Sequence, residues 1–228
     1  MSSEKLSGGK KVSMEDAKKA GGKKYREKVQ KVLDEYSKLP DEAKHQSHLY
    51  YGYGKGKTTA AVGLAFRAIG AGMSVAIVEF DKGQDQAKEH YFERRIFLRL
   101  KELGYPVEIY SSGCERMNED GTFRFKNAEE DFEEAKRALG IVRDLIQNGK
   151  QDILVLDEFV AAANYHLIEE KDVFDILDLY DKNRRFELIM TGHKLFEGLE
   201  ERVDLITENR KVKHYFDKGI QARKGIEY

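Results

Sequence analysis

The chain has 228 residues, of which 40% are hydrophobic and 36% charged, so it is long enough for one sizeable α/β domain with a heavily charged surface. Its formal net charge of −1 argues against nucleic acid or an anionic membrane as a partner. The single cysteine, Cys114, excludes an internal disulfide, and we expect a reducing, cytoplasmic location. No apolar run approaches the roughly 20 residues of a membrane span, and we expect no secretory signal.

Residues 1–45 are expected to form a flexible lead followed by an amphipathic helical arm. Residues 1 to about 22 contain the run Gly-Gly-Lys-Lys twice and almost nothing apolar, which predicts a flexible segment. From Tyr25 to Tyr36, apolar residues recur at helical spacing among charged ones, which predicts a helix ending near Pro40. The pattern is compatible with a helix packed on its own domain and with an arm lying on a partner subunit.

Residues 46–228 are expected to form one α/β domain. Short apolar runs predict strands, in chain order, at 48–51, 74–80, 107–112, 152–159, 186–192 and 203–209. Helical patterns fall between them, at 57–70, 88–104, 128–147 and 172–183. This alternation predicts a mostly parallel sheet of about six strands flanked by helices. Ligands of such sheets bind beyond the carboxyl ends of the strands.

The segment YGYGKGKTT (51–59) resembles a phosphate-binding loop that is one residue short. The usual form is G-x-x-x-x-G-K-[ST], and its end is present at 56–58. The nearest glycine that can open the loop is Gly52, one position too close. Glycines at 52, 54 and 56 allow backbone N–H groups to point at an anion, and the predicted helix adds its positive end. Lys57 adds a full charge, and Thr58 or Thr59 a hydroxyl for a magnesium ion.

The fourth predicted strand ends in two carboxylates, Asp157 and Glu158. Such a pair is either solvated charge at a strand end or a site for Mg²⁺, which binds hard oxygen ligands. Its combination with the glycine-rich loop favours a nucleoside-triphosphate site. The group transferred stays open on these grounds, because Glu158 is the one residue that stands out to orient a nucleophile beyond the γ-phosphate.

Two motifs make the chain resemble the P-loop corrinoid adenosyltransferases. They are the stretch YYGYGKGKTTAAVGLAFRAIGAGMSVAIVEFDKG (50–83), which has the family's shortened G-x-G-K-G-K-T-T loop, and the closing stretch VKHYFDKGIQARKGIEY (212–228). LVLDE (154–158) and TG (191–192) fall in order between them, so the resemblance covers about residues 48–228. It implies a P-loop NTPase fold of the RecA-like type.

The resemblance also implies a reaction. The 5′-deoxyadenosyl group of ATP passes to the cobalt(I) of a reduced corrinoid, and triphosphate leaves, in adenosylcobalamin synthesis or salvage. In that family ATP is held in the reverse sense, with the ribose 5′-carbon exposed to the cobalt. The resemblance implies Mg²⁺ or Mn²⁺, a homodimer and a reducing flavoprotein. The alternatives are a P-loop ATPase or kinase that acts at the γ-phosphate, and a non-catalytic ATP- or corrinoid-binding protein.

The resemblance assigns roles to individual residues. Lys57, Thr58 and Glu158 are the expected catalytic residues, and Thr58, Asp157 and Glu158 the expected metal ligands. The expected ATP contacts are Gly52, Tyr53, Gly54, Lys55, Gly56, Lys57, Thr58, Thr59, Arg67 and Lys82.

Phe123 and Phe125 keep the spacing of an aromatic pair that walls the lower face of the corrin in the family; two ordinary core residues are the alternative. The stretch SSGCERMNED (111–120) matches nothing in the family. Other departures are Tyr53, Glu79, Asp81 and His193, where the family tends to have Asn, Gln, an apolar residue and Arg.

Overall fold

The structure, a computed structural model, describes residues 14–83, 91–116, 124 and 126–227. The chain divides after Lys44 into two compact units. No helix within these residues is long and apolar enough to cross a membrane.

The first unit contains two helices, α1 (Met14–Ser37) and α2 (Asp41–Lys44). Because α1 begins at Met14, the flexible lead predicted up to residue 22 is too long. Ion pairs one turn apart, such as Lys23 with Glu27 at 3.9 Å, favour the helix despite its two glycines. The apolar stripe of α1, which includes Tyr25 and Val32, is exposed.

The second unit carries the predicted α/β pattern. Its elements in chain order are β1 (Ser47–Tyr51), α3 (Lys57–Gly70), β2 (Val75–Glu79), α4 (Glu93–Glu102), β3 (Val107–Ser111), α5 (Glu129–Asn148), β4 (Ile153–Asp157), α6 (Phe159–Asn164), α7 (Glu170–Lys182), β5 (Glu187–Thr191) and β6 (Leu205–Glu208). Short 3₁₀ turns lie between β5 and β6, at Glu200–Arg202, and after β6, at Tyr215–Lys218.

The six strands form one sheet in the order β3-β2-β4-β5-β1-β6, and every pair is parallel. The predicted α/β fold with a parallel sheet of about six strands is therefore confirmed. Helix α6 was not predicted, since residues 152–159 were assigned to one strand; the strand ends at Asp157 and the helix begins two residues later.

Helices cover both faces of the sheet, and this explains the continuous apolar runs of the central strands. Ile77 and Val155 pack with α3 and α4 on one face, whereas Val78 and Leu156 pack with α5, α6 and α7 on the other. All five residues of β2 and of β4 are buried. Polar side chains therefore collect beyond the core, at the carboxyl ends of the strands.

Asp204 joins the start of β1 to the start of β6. Its carboxylate accepts hydrogen bonds from the backbone N–H and the hydroxyl of Ser47, both at 2.8 Å, and from the Arg184 guanidinium at 2.8 Å. Partial burial acts to raise the pKa of Asp204, but these hydrogen bonds outweigh it and lower the pKa below its ordinary value.

We expect Asp204→Ala to lower the free energy of unfolding at pH 7 by about 1–3 kcal/mol, since it leaves the Ser47 N–H without its acceptor. A carboxyl whose pKa is depressed in the folded state stabilises the fold above its unfolded pKa, about 3.9 for Asp, and this contribution is lost as the pH falls through the folded value. Urea unfolding from pH 7 to pH 3 should therefore show the difference shrinking below about pH 4. A difference that stays constant to pH 3 would contradict a role for the ionised carboxylate.

Candidate active site

The glycine-rich loop joins β1 to α3 at the carboxyl edge of the sheet. Gly52 and Gly56 have φ values of 111° and 116°, which lie in the region that favours glycine. Gly56 is the residue from which α3 begins. Two glycines thus allow the backbone to turn from the strand into the first turn of the helix within a short loop.

The ends of two neighbouring strands hold this loop in place. The Gly54 N–H donates to the Asn209 carbonyl oxygen at 2.7 Å, and the Asn209 N–H donates to the Tyr51 carbonyl oxygen at 2.7 Å. The Gly52 N–H donates to the His193 carbonyl oxygen at 3.1 Å. Asn209 follows β6 and His193 follows β5. The shortened loop is therefore shaped by the chain beside it as well as by its own glycines.

The remaining amides of the loop are available to an anion. In the part of the chain that the structure describes, the N–H groups of residues 55–58 donate to no protein acceptor. They lie at the start of α3, whose first turn contains no acidic side chain. Lys57 adds its ammonium, which contacts the Gly54 carbonyl oxygen at 3.2 Å. Backbone donors, a helix N-terminus and a lysine together favour a phosphate.

Asp157, at the end of β4, connects four elements beside this loop. Its Oδ1 accepts hydrogen bonds from the hydroxyl of Thr58 at 3.0 Å and from that of Thr191 at 2.7 Å. Its Oδ2 forms an ion pair with the Lys82 ammonium. The first turn of α3 and the ends of β4, β5 and β2 thus meet at one buried carboxylate.

Lys82 is nearly inaccessible to solvent and lies among three acids. Its ammonium is 3.6 Å from Glu93 and 3.9 Å from Glu79, in addition to the pair with Asp157. Burial favours the neutral amine, but the negative charges of Asp157, Glu79 and Glu93 raise the pKa of Lys82 above its ordinary value. Lys82 is therefore a permanent counter-charge of Asp157.

Glu158 places a second carboxylate in the cavity next to Asp157. It has a φ of 58°, and its N–H donates to the Thr191 hydroxyl at 2.7 Å. Burial, followed by the neighbouring charge of Asp157, raises the pKa of Glu158. Its Oε2 is 3.6 Å from Nε2 of His193. A partly buried carboxylate of this kind is stabilised by a cation.

These groups lie along a cavity of about 780 Å³. Its lining combines polar and apolar side chains from the loop, from the carboxyl ends of the strands and from the closing segment: Thr58, Thr59, Val62, Phe80, Asp81, Lys82, Tyr91, Phe92, Glu93, Arg116, Arg124, Asn127, Glu158, Ala161, Ala162, Tyr165, His193, Gly225, Ile226 and Glu227. This volume lies in the upper part of the range of small-molecule sites, roughly 300–1,000 Å³.

Two arginines of the cavity lining are held by acids. Arg116 Nε donates to Asp81 Oδ1 at 2.8 Å, and Arg124 pairs with Asp131. The Arg124 hydrogen bond, joined by that of the Ala128 N–H, holds the pKa of Asp131 at about 2 although burial acts to raise it. The positive charges of these two arginines are therefore neutralised by neighbouring carboxylates.

Residues 43–228 match the sequence model of a protein family described as ATP:corrinoid adenosyltransferase BtuR/CobO/CobP. The chain belongs to this family. It is therefore an enzyme of the transferase class.

Individual members of the family are similar over most of their length. A corrinoid adenosyltransferase from Pseudomonas aeruginosa is 29% identical over 208 residues, which cover 90% of this chain and 96% of that protein. One from Sinorhizobium sp is 32% identical over 177 residues, covering 78% of this chain and 77% of that protein. The Escherichia coli K12 protein of the same name is 27% identical over 208 residues, 90% and 98% of the two chains.

The structure brings together several of the residues that the sequence assigned to the site. Thr58, Thr59, Lys82 and Glu158 line the cavity, and Asp157 lies immediately behind them. Tyr53 is 67% exposed on the loop, with its ring centroid 5.9 Å from that of His193.

Two other assignments have different surroundings, and a third lies outside the described residues. Arg67 is exposed in the last turn of α3 and is not part of the cavity lining. The Lys55 ammonium contacts the closing segment of the chain. Phe123 and Phe125 lie outside the described residues, so the corrin wall stays a prediction.

Sequence reasoning missed two residues that shape the site. Thr191 was noted only as part of a Thr-Gly pair, yet its hydroxyl donates to Asp157 and accepts from the Glu158 N–H. Asn209 was read as the end of a strand, yet its carbonyl oxygen holds Gly54. The signal was available in part, because Thr191 ends β5 and Asn209 comes directly after β6, and the carboxyl ends of both strands face the loop, but the order of the strands was not known.

We expect Gly54→Ala to weaken MgATP binding at least tenfold and to lower the melting temperature. A Cβ at this position would lie 2.4 Å from the Asn209 carbonyl oxygen and 2.7 Å from its carbon, so the loop must move off β6. The matched control is Gly63→Ala in α3, where nothing lies within 4 Å of the added Cβ. It should bind MgATP normally and gain about 0.5–1 kcal/mol of stability. Calorimetric titration and thermal unfolding give both results, and normal binding by Gly54→Ala would show that the loop does not need its contact with Asn209.

Proposed function

We propose that this enzyme transfers the 5′-deoxyadenosyl group of ATP to the cobalt(I) of a reduced corrinoid and releases triphosphate, in the synthesis or salvage of adenosylcobalamin. The observation that carries the proposal is the shortened loop: among the residues that the structure describes, its amides at 55–58 donate to no protein acceptor, and the loop lies beside a cavity of about 780 Å³. The family of the chain and the names of its relatives point to the same two substrates.

In this proposal the triphosphate lies on the loop. The loop amides, the start of α3 and the Lys57 ammonium stabilise the negative charge that grows on the triphosphate as it leaves. The electron pair that forms the cobalt–carbon bond comes from cobalt(I), and the pair of the breaking C5′–O bond leaves with the triphosphate. No protein base has to remove a proton, so the remaining task of the protein is to orient the ribose 5′-carbon and exclude water.

We further propose that Thr58 and Glu158 hold a divalent cation, Mg²⁺ or Mn²⁺, together with phosphate oxygens. Among the described residues no three His, Cys, Asp or Glu side chains form a metal site on their own. Nucleotide-bound Mg²⁺ needs only one or two carboxylates, because phosphates and water fill its other positions. The Glu158 carboxylate in the cavity fits this requirement. Asp157 contributes by orienting the Thr58 hydroxyl. The cation would neutralise charge on the leaving triphosphate.

Three further proposals concern location and partners. We propose a cytoplasmic enzyme, in keeping with a single cysteine in 228 residues. We propose a homodimer, which the exposed apolar stripe of α1 supports. A reducing flavoprotein is proposed because cobalt(I) has to be generated by a strong reductant. The balanced net charge of −1 favours neither nucleic acid nor a membrane surface as a partner.

Product identity tests the reaction. We expect an anaerobic mixture of the enzyme, MgATP and chemically reduced cob(I)alamin or cobinamide to form a light-sensitive cobalt–carbon bond and one intact triphosphate per product. Absorbance before and after illumination measures the light-sensitive cobalt–carbon bond, and anion-exchange chromatography measures the released triphosphate. ADP and phosphate without an alkylated corrinoid would instead establish chemistry at the γ-phosphate and overturn the proposal.

We expect Glu158→Gln to lower kcat/KM by about 10²–10³ and to shift the Mg²⁺ dependence to higher concentration, because the variant loses a negatively charged oxygen ligand. Glu197→Gln, an exposed change outside the cavity lining, is the control and should leave kcat/KM and the Mg²⁺ dependence unchanged. Steady-state rates at several Mg²⁺ concentrations give the result. A loss of rate with an unaltered Mg²⁺ dependence would remove Glu158 from the proposed ligand set.

A further inference from the structure

The closing segment of the chain returns to the glycine-rich loop. After β6 comes the 3₁₀ turn Tyr215–Lys218, and further along the chain residues 225–227 form part of the cavity lining. The sequence singled out this segment as a motif without assigning it a role. Its contacts with Lys55 of the loop and with Phe92 at the start of α4 connect it to both sides of the cavity.

On one side, the segment provides hydrogen-bond acceptors for all three N–H donors of the Lys55 ammonium. Lys55 Nζ is 2.6 Å from the Ile226 carbonyl oxygen, 2.7 Å from Glu227 Oε1 and 3.3 Å from the Tyr215 hydroxyl. An ammonium has three N–H donors, and these are three acceptors. The hydrogen bond to Glu227 is the main cause that raises the pKa of Lys55. In this arrangement Lys55 has no donor left for a phosphate.

The Glu227 carboxylate connects these contacts to one another. It accepts hydrogen bonds from Lys55, from the Tyr215 hydroxyl and from the backbone N–H of Arg223, the last at 2.7 Å. Lys55 and then Tyr215 lower the pKa of Glu227 far below its usual range. Its side chain is only 15% exposed although it lies on a surface segment. The carboxylate is therefore ionised at neutral pH and accepts hydrogen bonds from all three of these groups.

On the other side, the segment contacts the start of α4. The Lys224 ammonium lies 4.8 Å from the centre of the Phe92 ring, which belongs to the cavity lining. The Arg223 guanidinium lies 4.8 Å from the centre of the Tyr215 ring and stiffens the segment between these two ends. The segment thus spans the cavity from the loop to α4.

We propose that residues 214–227 form a strap that closes one side of the substrate cavity, and that Lys55 anchors this strap instead of binding the triphosphate. The proposal rests on the proposed function and deepens it. Lys55, Tyr215 and Glu227 are then positioning residues, which act by holding residues 225–227 against the bound substrates. Lys57 remains on the loop as the cation for the phosphates.

The charges explain why the anchor is retained when ATP binds. Moving Lys55 to a phosphate breaks three hydrogen bonds, two of them at or below 2.7 Å, and leaves an ionised Glu227 beside an incoming polyanion. The repulsion between that carboxylate and the triphosphate disfavours the exchange. With Lys55 in place, its positive charge neutralises Glu227 next to the phosphate site.

Hydrogen exchange of the ligand-free protein tests the anchor independently of catalysis. We expect the peptide covering residues 214–227 to exchange at least tenfold faster in Lys55→Met, in Glu227→Gln and in the double variant, and by the same factor in all three. Asp217→Asn is the matched control, since Asp217 lies in this segment and forms an exposed ion pair with Lys211, which precedes it. This variant should leave the exchange of the peptide unchanged. Unaltered exchange in the two single variants would overturn the anchor even if the wild-type enzyme proves to be an adenosyltransferase.

Steady-state kinetics of the same variants test the role in catalysis. We expect each single variant to raise the substrate KM values about tenfold with a smaller change in kcat, and the double variant to be no worse than either. A Lys55→Met variant impaired mainly in the KM for MgATP, with Glu227→Gln nearly normal, would identify Lys55 as a phosphate ligand and overturn the proposal. A lower KM for MgATP in Glu227→Gln would also overturn it, by showing that the carboxylate competes with the triphosphate.

Tyr215→Phe keeps the proposal testable if the charge variants fold poorly. It removes one hydroxyl and keeps the ring, so we expect a smaller change of the same kind in exchange and in KM. Exchange and KM values equal to those of the wild type would contradict a strap that depends on this cluster. If the wild-type protein forms no alkylated corrinoid at all, the proposed function fails while the exchange experiment still decides whether the anchor exists.

Discussion

The site depends on one buried carboxylate. Asp157 ends the strand at the centre of the sheet, and the hydroxyls of Thr58 and Thr191 and the ammonium of Lys82 all converge on it. Three charges or dipoles from different elements are thereby fixed relative to one another in a region of low dielectric, where an unpaired acid would be costly. The position of the loop relative to Glu158 follows from this connection.

The four positions at which the sequence is expected to depart from its family, 53, 79, 81 and 193, each have a partner in the same region. Glu79 is buried and pairs with Arg94 at 2.8 Å, and Asp81 pairs with Arg116 at 2.8 Å. His193 accepts or donates a hydrogen bond of 2.6 Å with the Tyr165 hydroxyl and lies beside Tyr53. Positions 53 and 193 are therefore neighbours in space although 140 positions separate them in sequence. Their side chains lie together beside the loop.

The alternation of apolar runs with helical patterns was sufficient to predict all six strands and the sheet type, because a parallel sheet buried on both faces requires such runs. The loop and the acidic pair were predicted from residue types whose chemistry is specific. The contacts of Thr191 and Asn209 were not, because they depend on β5 lying beside β4 and on β6 lying beside β1, and sequence order does not reveal the order of strands. The start of α1 was placed too late, since a pair of glycines was given more weight than the ion pairs around it.

The placement of β1 also bears on the order in which the protein acquires its structure. This strand carries the glycine-rich loop, yet both of its partners, β5 and β6, lie about 140 to 160 residues further along the chain. Until those strands have been synthesised, β1 has no neighbour with which to form hydrogen bonds, and nothing holds Gly52 and Gly54. Such distant pairings slow folding, because a long stretch of chain must be ordered first. The loop that begins the domain in sequence is therefore expected to be among the last parts of it to take shape.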